Sequence, residues 1–164
     1  DPQNGIHCST GSLGHGLPIG VGMALSKKIL NETGKVYVII GDGECQEGTI
    51  WESMNLANKF SLDNLIVIVD QNGLQALAPI ENVIGKENLP EKFKAFGGNV
   101  TEINGHDFEE IKSAFNALEN NNGVNVVIAE TIKGKGISFI ENDPQWHSRT
   151  PRKEWIDKAL EELA

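Results

Sequence analysis

The chain contains, at Val36-Tyr37-Val38-Ile39-Ile40-Gly41-Asp42-Gly43, a run of mostly β-branched apolar residues that leads directly into a polar turn. A second run, Leu65-Ile66-Val67-Ile68-Val69, leads in the same way into Asp70-Gln71-Asn72-Gly73. Short apolar runs bounded by turn residues are typical of buried β-strands. The sequence therefore predicts strands at 36–40 and 65–69, each followed by a turn with an oxygen-bearing side chain, Asp42 and Asn72.

Asp42 and Asn72 are candidate ligands of one divalent cation. Hard cations such as Mg²⁺ prefer oxygen ligands and usually keep a phosphate among them, so this pair indicates a metal-bridged diphosphate. The carbonyl of Leu74 supplies a third oxygen if the loop curls back. Each residue also has a simpler interpretation, Asp42 as a helix cap in a turn and Asn72 as part of an Asn-Gly turn. The two features together favour the site.

Helical and strand patterns alternate along the whole chain. Periodicity predicts further strands at 100–103 and 124–129, and helices at 13–30, 49–60, 92–96, 107–120 and 152–163. This alternation is typical of an α/β domain, a parallel sheet with helices on both faces, where ligands bind outside the carboxyl ends of the strands. Asp42, Asn72 and the turn at Lys133-Gly134 then share one edge. We expect a single domain over 1–164.

The helical segments carry the predicted core contacts. Glycines weaken the first helix, so we expect it to be buried beside a close neighbour. Asp107 is the expected N-cap of the helix over 107–120. The expected core residues are Leu17, Val21, Ala24, Leu25 and Ile29 in the first helix, Trp51, Met54, Leu56 and Ala57 in the second, and Phe108, Ile111, Phe115 and Leu118 in the helix over 107–120.

The composition narrows the classes of partner. The net charge of −9 argues against non-specific binding to nucleic acid or to anionic membranes, and an anionic cofactor would need its own neutralisation. Cys8 and Cys45 form neither a disulfide framework nor a metal-ligand spacing, which fits a reducing, cytoplasmic setting. The sequence shows no long apolar span and no signal peptide. Because it starts at Asp1 without Met, we expect a truncated N-terminus.

Three further features have both a functional and a simpler interpretation. The segment Ser9–Gly16 is rich in small residues, which suits backbone lying against a flat ligand but equally fits a Gly-rich loop entering a helix. Taken alone, His147 is an exposed loop histidine, and Glu47 is a first-turn acid favoured by the helix dipole. The sequence has neither GxGxxG after a strand nor GxxxxGK[ST], so nicotinamide and P-loop sites are not indicated.

Five ordered segments carry a resemblance to a known family. They are Thr10-Gly11-Ser12-Leu13-Gly14-His15-Gly16, Gly41-Asp42-Gly43-Glu44-Cys45-Gln46-Glu47-Gly48, Asp70-Gln71-Asn72-Gly73-Leu74, Gly105-His106-Asp107 and Thr131-Ile132-Lys133-Gly134-Lys135-Gly136. Over nearly its whole length the chain resembles the N-terminal, diphosphate-binding domain of transketolase, most of all the form encoded as two subunits. The resemblance implies a PP-type thiamine diphosphate-binding domain, with Mg²⁺, or Ca²⁺ or Mn²⁺ in its place.

The resemblance also implies roles for individual residues. Asp42, Asn72 and the Leu74 carbonyl match the metal ligands, and Asn72 also counts among the cofactor-binding residues. The other matched positions are Gly43 and Glu44, whose backbone N–H groups meet the diphosphate, Gly11 and Leu13 beside the aminopyrimidine, His147 as a catalytic residue near the diphosphate and the substrate, and Glu47 and Glu52 at the subunit interface.

The resemblance further implies that this chain holds half of a site. In the family, a glutamate on a second, pyrimidine-binding domain activates the cofactor, and no repeat of the domain appears here. We therefore expect the partner to be a C-terminal transketolase subunit, in a hetero-oligomer that also self-associates, and no activity of the chain alone. We expect an apolar patch around residues 44–60, with Trp51 and Met54 as candidates, to be buried against another subunit.

The implied activity is transfer of a two-carbon ketol unit between sugar phosphates, as in the pentose phosphate pathway. Two alternatives keep the cofactor, namely 1-deoxyxylulose-5-phosphate synthase and the α subunit of a 2-oxo acid dehydrogenase. A third alternative is a noncatalytic homologue that binds the cofactor and acts as a binding or regulatory subunit. The short chain and the Glu47 and Glu52 pattern favour transketolase, and the presence of Asp42 and Asn72 argues against the noncatalytic alternative.

Overall fold

A computed structural model of the chain describes residues 1–76, 78–85, 87–118 and 122–164. At its centre lies a sheet of four parallel strands in the order β1-β2-β4-β3. The strands are β1 (Val36–Gly41), β2 (Leu65–Gln71), β3 (Asn99–Asn104) and β4 (Asn125–Glu130). The helices are α1 (Gly16–Ile29), α2 (Gly48–Lys59), α3 (Leu89–Ala95), α4 (Phe108–Ala117) and α5 (Lys153–Leu163). The predicted α/β class and parallel sheet are confirmed.

Alternate residues of each central strand face opposite sides of the sheet, and helices cover both sides. On one side, buried residues of α1, α2 and α3 pack with Val38 of β1, Val67 of β2 and Val126 of β4. On the other side, Ala114 of α4 packs with a second cluster that includes Ile66 and Val127. Because β2 and β4 are covered on both faces, their sequences are continuous apolar runs.

The first helix lies very close to the sheet, as its glycines indicate. A Cβ atom at Gly20 would overlap Cγ2 of Val38, so only glycine allows α1 to approach β1 this closely. Gly22, on the exposed side of the same helix, has open space around its ideal Cβ position. Leu17, Val21 and Ala24 are buried as predicted.

The structure corrects several predicted contacts. Ile29, Leu56 and Phe108 are exposed to 68%, 50% and 83%, so they are not core residues; each lies beyond the apolar stripe of its helix. The helix predicted at 92–96 begins earlier, at Leu89, because the Asn88 side chain accepts a hydrogen bond from the Glu91 N–H and caps it. The cap at Asp107 is confirmed, since its carboxylate accepts from Glu109 and Glu110.

The second helix also corrects the predicted interface patch. Met54 is fully buried in the core of the chain itself, so it is not available to another subunit. The Trp51 ring packs against Phe93 and Phe96, each with its centroid 5.0 Å away, and its Nε1 donates to the Cys45 carbonyl. The end of the helix predicted at 107–120 falls partly on residues 119–120, which lie outside the described residues.

An aromatic cluster organises the segment after β4. Phe139, Trp146 and Trp155 pack with ring centroids 4.9–5.6 Å apart, and this joins α5 to the preceding loop. The backbone N–H and hydroxyl of Ser138 donate to the Glu162 carboxylate, and these bonds lower the pKa of that carboxyl. No helix in the described ranges is both long and apolar enough to cross a membrane.

The close approach of α1 to the sheet can be tested with a matched pair of substitutions. Gly20→Ala forces a methyl group into Val38, and overpacking of this kind costs about 1–3 kcal/mol. Gly22→Ala adds the same methyl group where there is space, and its better helix propensity stabilises by about 0.5–1 kcal/mol. Chemical denaturation of both variants measures the difference. Equal free energies of unfolding for the two would contradict the packing described here.

Candidate functional site

The carboxyl ends of three neighbouring strands meet at one edge of the sheet. Gly41 at the end of β1 is in register with Asp70 of β2, which is in register with Ala129 of β4. The Asp42 N–H donates to the Asp70 carbonyl across 3.1 Å and continues the ladder by one residue. The turns that follow β1, β2 and β4 therefore share this edge, as predicted.

Asp42 joins the two turns through its side chain. Its Oδ1 accepts from the Gly43 N–H at 2.8 Å, and its Oδ2 accepts from the Gly73 N–H at 2.6 Å. The residue is only 3% exposed. The carboxylate thus links positions 31 residues apart in the sequence and still has lone pairs for a further ligand.

Asn72 shapes the second turn. Its Oδ1 accepts from the Leu74 N–H at 3.0 Å, and Gly73 between them has φ +74°, a conformation that favours glycine. The Gly73 carbonyl in turn accepts from Ile80 at 3.0 Å. These bonds curl the loop back over its own start. The assignment of Asn72 and the Leu74 carbonyl as metal ligands stays a prediction.

The Asp42 carboxylate is buried, and among the described residues it has no positively charged partner. Burial raises the pKa of this carboxyl above its ordinary value of 3.8, the N–H groups of Gly73 and Gly43 oppose the rise, and the charge of Asp70 reinforces it. Within the described ranges, no lysine, arginine or histidine forms an ion pair with Asp42. A cation bound here would relieve this cost.

Cys45, three residues on, lies in the same environment. It is fully buried, and burial together with the charges of Asp42 and Glu44 raises the pKa of its thiol. The Sγ lies 3.6 Å from the Gly41 carbonyl and donates to it. This residue is a packed, protonated thiol and not a reactive thiolate.

Two cavities flank the turn that follows β1. One, of about 320 Å³, is lined by Asp42 and Gly73 together with Gln71, Pro79, Ile80, Glu81, Glu87 and Leu89. The other, of about 790 Å³, lies between residues 5–13, α1 and β1, and it includes Gly11, Leu13 and Glu44. The predicted metal ligand Asp42 and the predicted cofactor residues Gly11 and Leu13 therefore line neighbouring cavities on either side of one turn.

The side chain of Glu44 makes contacts that sequence reasoning missed. Its Oε1 accepts from the Gly14 N–H at 2.8 Å and its Oε2 from the Gly41 N–H at 3.4 Å. The Gly14 carbonyl accepts from Thr49 Oγ1 at 2.9 Å, and Gly14 has φ +77°. Glu44 therefore ties the Gly-rich segment to the turn and to α2. No local pattern in the sequence indicates a contact across 30 positions.

The remaining predicted site residues lie on the surface. His147 is exposed in a short 3-10 turn, Pro144–His147, next to the aromatic cluster. Glu47, directly before α2, and Glu52, within α2, are both exposed and so are available to a partner. Their assigned roles stay predictions.

Two further contacts tie the turn after β4 to the same edge. The Thr131 hydroxyl donates to the Asp70 carboxylate. The Ile132 N–H donates to Nε2 of His106 at 2.8 Å, so His106 has the structural role that its position before a helix indicates.

The donor set fits a hard divalent cation that carries a phosphate ligand. In the described part of the chain, no group of three or more His, Cys, Asp or Glu side chains gathers as a metal site. A cation at Asp42 would therefore need amide or carbonyl oxygens, for which Asn72 and Leu74 are the predicted sources, together with oxygens of the ligand. One carboxylate with neutral oxygen donors is the arrangement typical of Mg²⁺ bound with a phosphate group.

These features define a ligand-binding domain of the parallel α/β class, with its site outside the carboxyl ends of the strands. A family model described as the thiamine diphosphate binding domain of transketolase matches residues 1–163. The chain belongs to this family.

Relatives and solved structures agree with the family. The chain is 42% identical over 159 residues to an apulose-4-phosphate transketolase subunit from Actinobacillus succinogenes, covering 97% of this chain and 58% of that protein. It is 39% identical over 160 residues to 6-deoxy-6-sulfo-D-fructose transketolase subunit SqwG of a Clostridium species, with the same coverage of 97% and 58%. The crystal structure of transketolase from Campylobacter jejuni superposes with a TM-score of 0.87 at 35% identity, covering 94% of this chain and 25% of that one.

The raised pKa of Asp42 predicts a pH dependence of stability. The folded chain holds this proton more tightly than the unfolded chain, so the contribution of Asp42 is most favourable below about pH 3.8 and is lost as the pH rises through the folded-state pKa. Without divalent ions, we expect the wild type to lose stability relative to Asp42→Ala over this interval. Denaturation at a series of pH values measures the difference between the two proteins.

The control is Asp63→Ala, which removes an exposed aspartate at the other end of β2. A difference between wild type and Asp42→Ala that does not change with pH would contradict the assigned electrostatics.

Proposed function

We propose that this chain holds the diphosphate of thiamine diphosphate through Mg²⁺ and forms part of a transketolase that moves a two-carbon ketol unit between sugar phosphates. The observation that carries the proposal is the buried Asp42 carboxylate without an ion-pair partner in the described residues, beside the curled Asn72 loop. A carboxylate in this setting is stabilised by a cation, and a cation is what a diphosphate requires.

Under this proposal, each residue of the site has a role in binding the cation, the diphosphate or the substrate. Asp42, Asn72 and the Leu74 carbonyl hold the cation, with Ca²⁺ or Mn²⁺ as substitutes, and the Gly43 and Glu44 N–H groups face the diphosphate. Glu44 holds the Gly-rich segment of Gly11 and Leu13 in place through Gly14. His147 donates a hydrogen bond near the diphosphate and the substrate. Thiamine diphosphate, when bound, would supply the carbon nucleophile for breaking and making the carbon–carbon bond beside the carbonyl.

The site is complete only with a second polypeptide in this proposal. The matched relatives from Actinobacillus and Clostridium are named as transketolase subunits, and this chain spans 58% of their length. We propose a cytoplasmic hetero-oligomer in which the partner carries the pyrimidine-binding domain. Glu47 and Glu52 are exposed, directly before α2 and within it. We propose that they meet the second copy of this subunit.

The substrate is proposed only as a class. The two subunit relatives are named for different sugars, apulose-4-phosphate and 6-deoxy-6-sulfo-D-fructose. Both are sugars with an acidic group. The activity with one ketose phosphate and with one sulfonated ketose as donor should therefore be compared. Pyruvate is the donor that separates this activity from that of a 1-deoxyxylulose-5-phosphate synthase or a 2-oxo acid dehydrogenase.

Binding of the cofactor tests the cation site directly. Calorimetric titration of thiamine diphosphate into the full-length protein with Mg²⁺ measures the affinity, and removal of Mg²⁺ with a chelator should abolish it. Asp42→Ala removes the charged ligand, and a loss of about 1.5–3 kcal/mol corresponds to about a 10- to 150-fold loss of affinity. Asp63→Ala should bind like the wild type. Unchanged affinity of Asp42→Ala would favour the noncatalytic alternative.

Dependence on a partner tests the rest of the proposal. We expect no turnover of a ketose phosphate by the full-length protein alone, because the acid that activates the cofactor lies on the other subunit. Turnover should appear when the partner subunit is added with thiamine diphosphate and Mg²⁺, and a coupled assay for the released aldose measures it. Turnover of pyruvate in preference to the ketose phosphate would move the assignment to the alternative enzymes.

A further inference from the structure

A second contact joins the turn after β1 to the loop after β2. Nε2 of Gln75 donates to Oε1 of Gln46, and the two residues are 29 positions apart. The Gln75 side chain crosses over Gly43, where an added Cβ would lie 2.8 Å from Gln75 Cγ. Glycine at this position therefore leaves the space that the Gln75 side chain occupies.

Two backbone contacts between described residues fold the start of the loop after β2 back on itself. The Gln75 N–H donates to the Ala78 carbonyl at 2.9 Å, and Leu74 forms a β-bridge with Pro79. Among the described residues, two side-chain links join this loop to the turn after β1: the Gly73 N–H to Asp42, and Gln75 to Gln46. Leu74 lies between these two links.

A cation bound at Asp42 would affect the bond from Gly73 to Asp42 and the bond from Gln75 to Gln46 differently. A cation on Asp42 Oδ2 would draw electron density from the oxygen that also accepts the Gly73 N–H, and this would weaken that hydrogen bond. The bond between Gln46 and Gln75 uses none of the proposed cation ligands, so an ion at Asp42 would not compete for it.

The pair formed by Gln46 and Gln75 also leaves one buried polar group unsatisfied within the described part of the chain, which lowers the stability of the fold. Nε2 of Gln46 is buried and has no hydrogen-bond partner among the described residues. A buried amide that leaves a donor unsatisfied costs free energy, and such costs are typical of positions that serve a site.

We propose that Gln75 and Gln46 are positioning residues of the cation site, which hold the Leu74 carbonyl and the Asn72 loop where the cation binds. This inference rests on the proposed function. Loss of one neutral hydrogen bond should raise the Mg²⁺ concentration for half-saturation by about 2- to 10-fold without abolishing binding. The effect differs from that of losing a ligand, because the ligands themselves remain.

The experiment is a calorimetric titration with MgCl₂ at saturating thiamine diphosphate, which measures the Mg²⁺ affinity of the full-length protein together with its partner and does not depend on turnover. The variants are Gln75→Ala, Gln46→Ala and both together, with Gln3→Ala as a control on an exposed glutamine. We expect each single variant to weaken Mg²⁺ binding and the double variant to be no weaker than the weaker single one, because both remove the same bond. Gln46→Glu keeps the acceptor for Gln75 and should restore Mg²⁺ affinity to at least the wild-type value.

Free energies of unfolding of the ligand-free proteins separate positioning from simple stability. A Mg²⁺ titration of Gln75→Ala that superposes on the wild type overturns the inference and leaves the proposed function intact. The inference also fails if Gln46→Glu does not restore affinity, or if the Mg²⁺ effect follows the loss of stability. If one alanine variant does not fold, the other carries the test. A wild type that binds no thiamine diphosphate with Mg²⁺ overturns the proposed function itself.

Discussion

The carboxylate of Asp42 connects the turns that follow two adjacent parallel strands, and much of the site depends on this connection. It accepts one N–H from its own turn and one from the Asn72 loop, at 2.8 and 2.6 Å. Because it is buried, its negative charge is costly, and the two N–H groups offset that cost only in part, so its pKa stays raised. A cation bound beside Asp42 would therefore lower the free-energy cost of burying its negative charge.

Glu44, two residues later, also carries a carboxylate, but this carboxylate binds backbone N–H groups of two segments. It remains half-exposed and binds the Gly14 and Gly41 N–H groups, so both its oxygens serve the backbone. Through Gly14 and Thr49 it makes the Gly-rich segment, the turn and α2 one connected unit. Asp42 thus keeps lone pairs that a cation could use, whereas Glu44 holds the Gly-rich segment and the turn in place beside it.

The sequence predicts the elements better than the contacts between them. The strands at 36–40 and 65–69 are predictable because each is a continuous apolar run bounded by turn residues. The prediction that Leu56 and Phe108 are buried is wrong, because the sequence does not distinguish an apolar residue beside the buried stripe of a helix from one within it. The bonds from Glu44 to Gly14 and from Gln75 to Gln46 join residues 30 and 29 positions apart. Such pairs depend on how the turns meet in space, and no local pattern encodes that.

The electrostatics of this edge make cation and diphosphate binding depend on each other under the proposed function. Asp42, Glu44 and Asp70 place negative charge beside the turn, in a chain whose net charge is −9, so a diphosphate alone would be repelled. A divalent cation at Asp42 would offset most of this negative charge, and a bound diphosphate would complete the oxygen ligands of the cation. By thermodynamic linkage each must raise the affinity of the other by the same factor. The raised pKa of Asp42 and the dependence on a divalent ion are then two consequences of one buried charge.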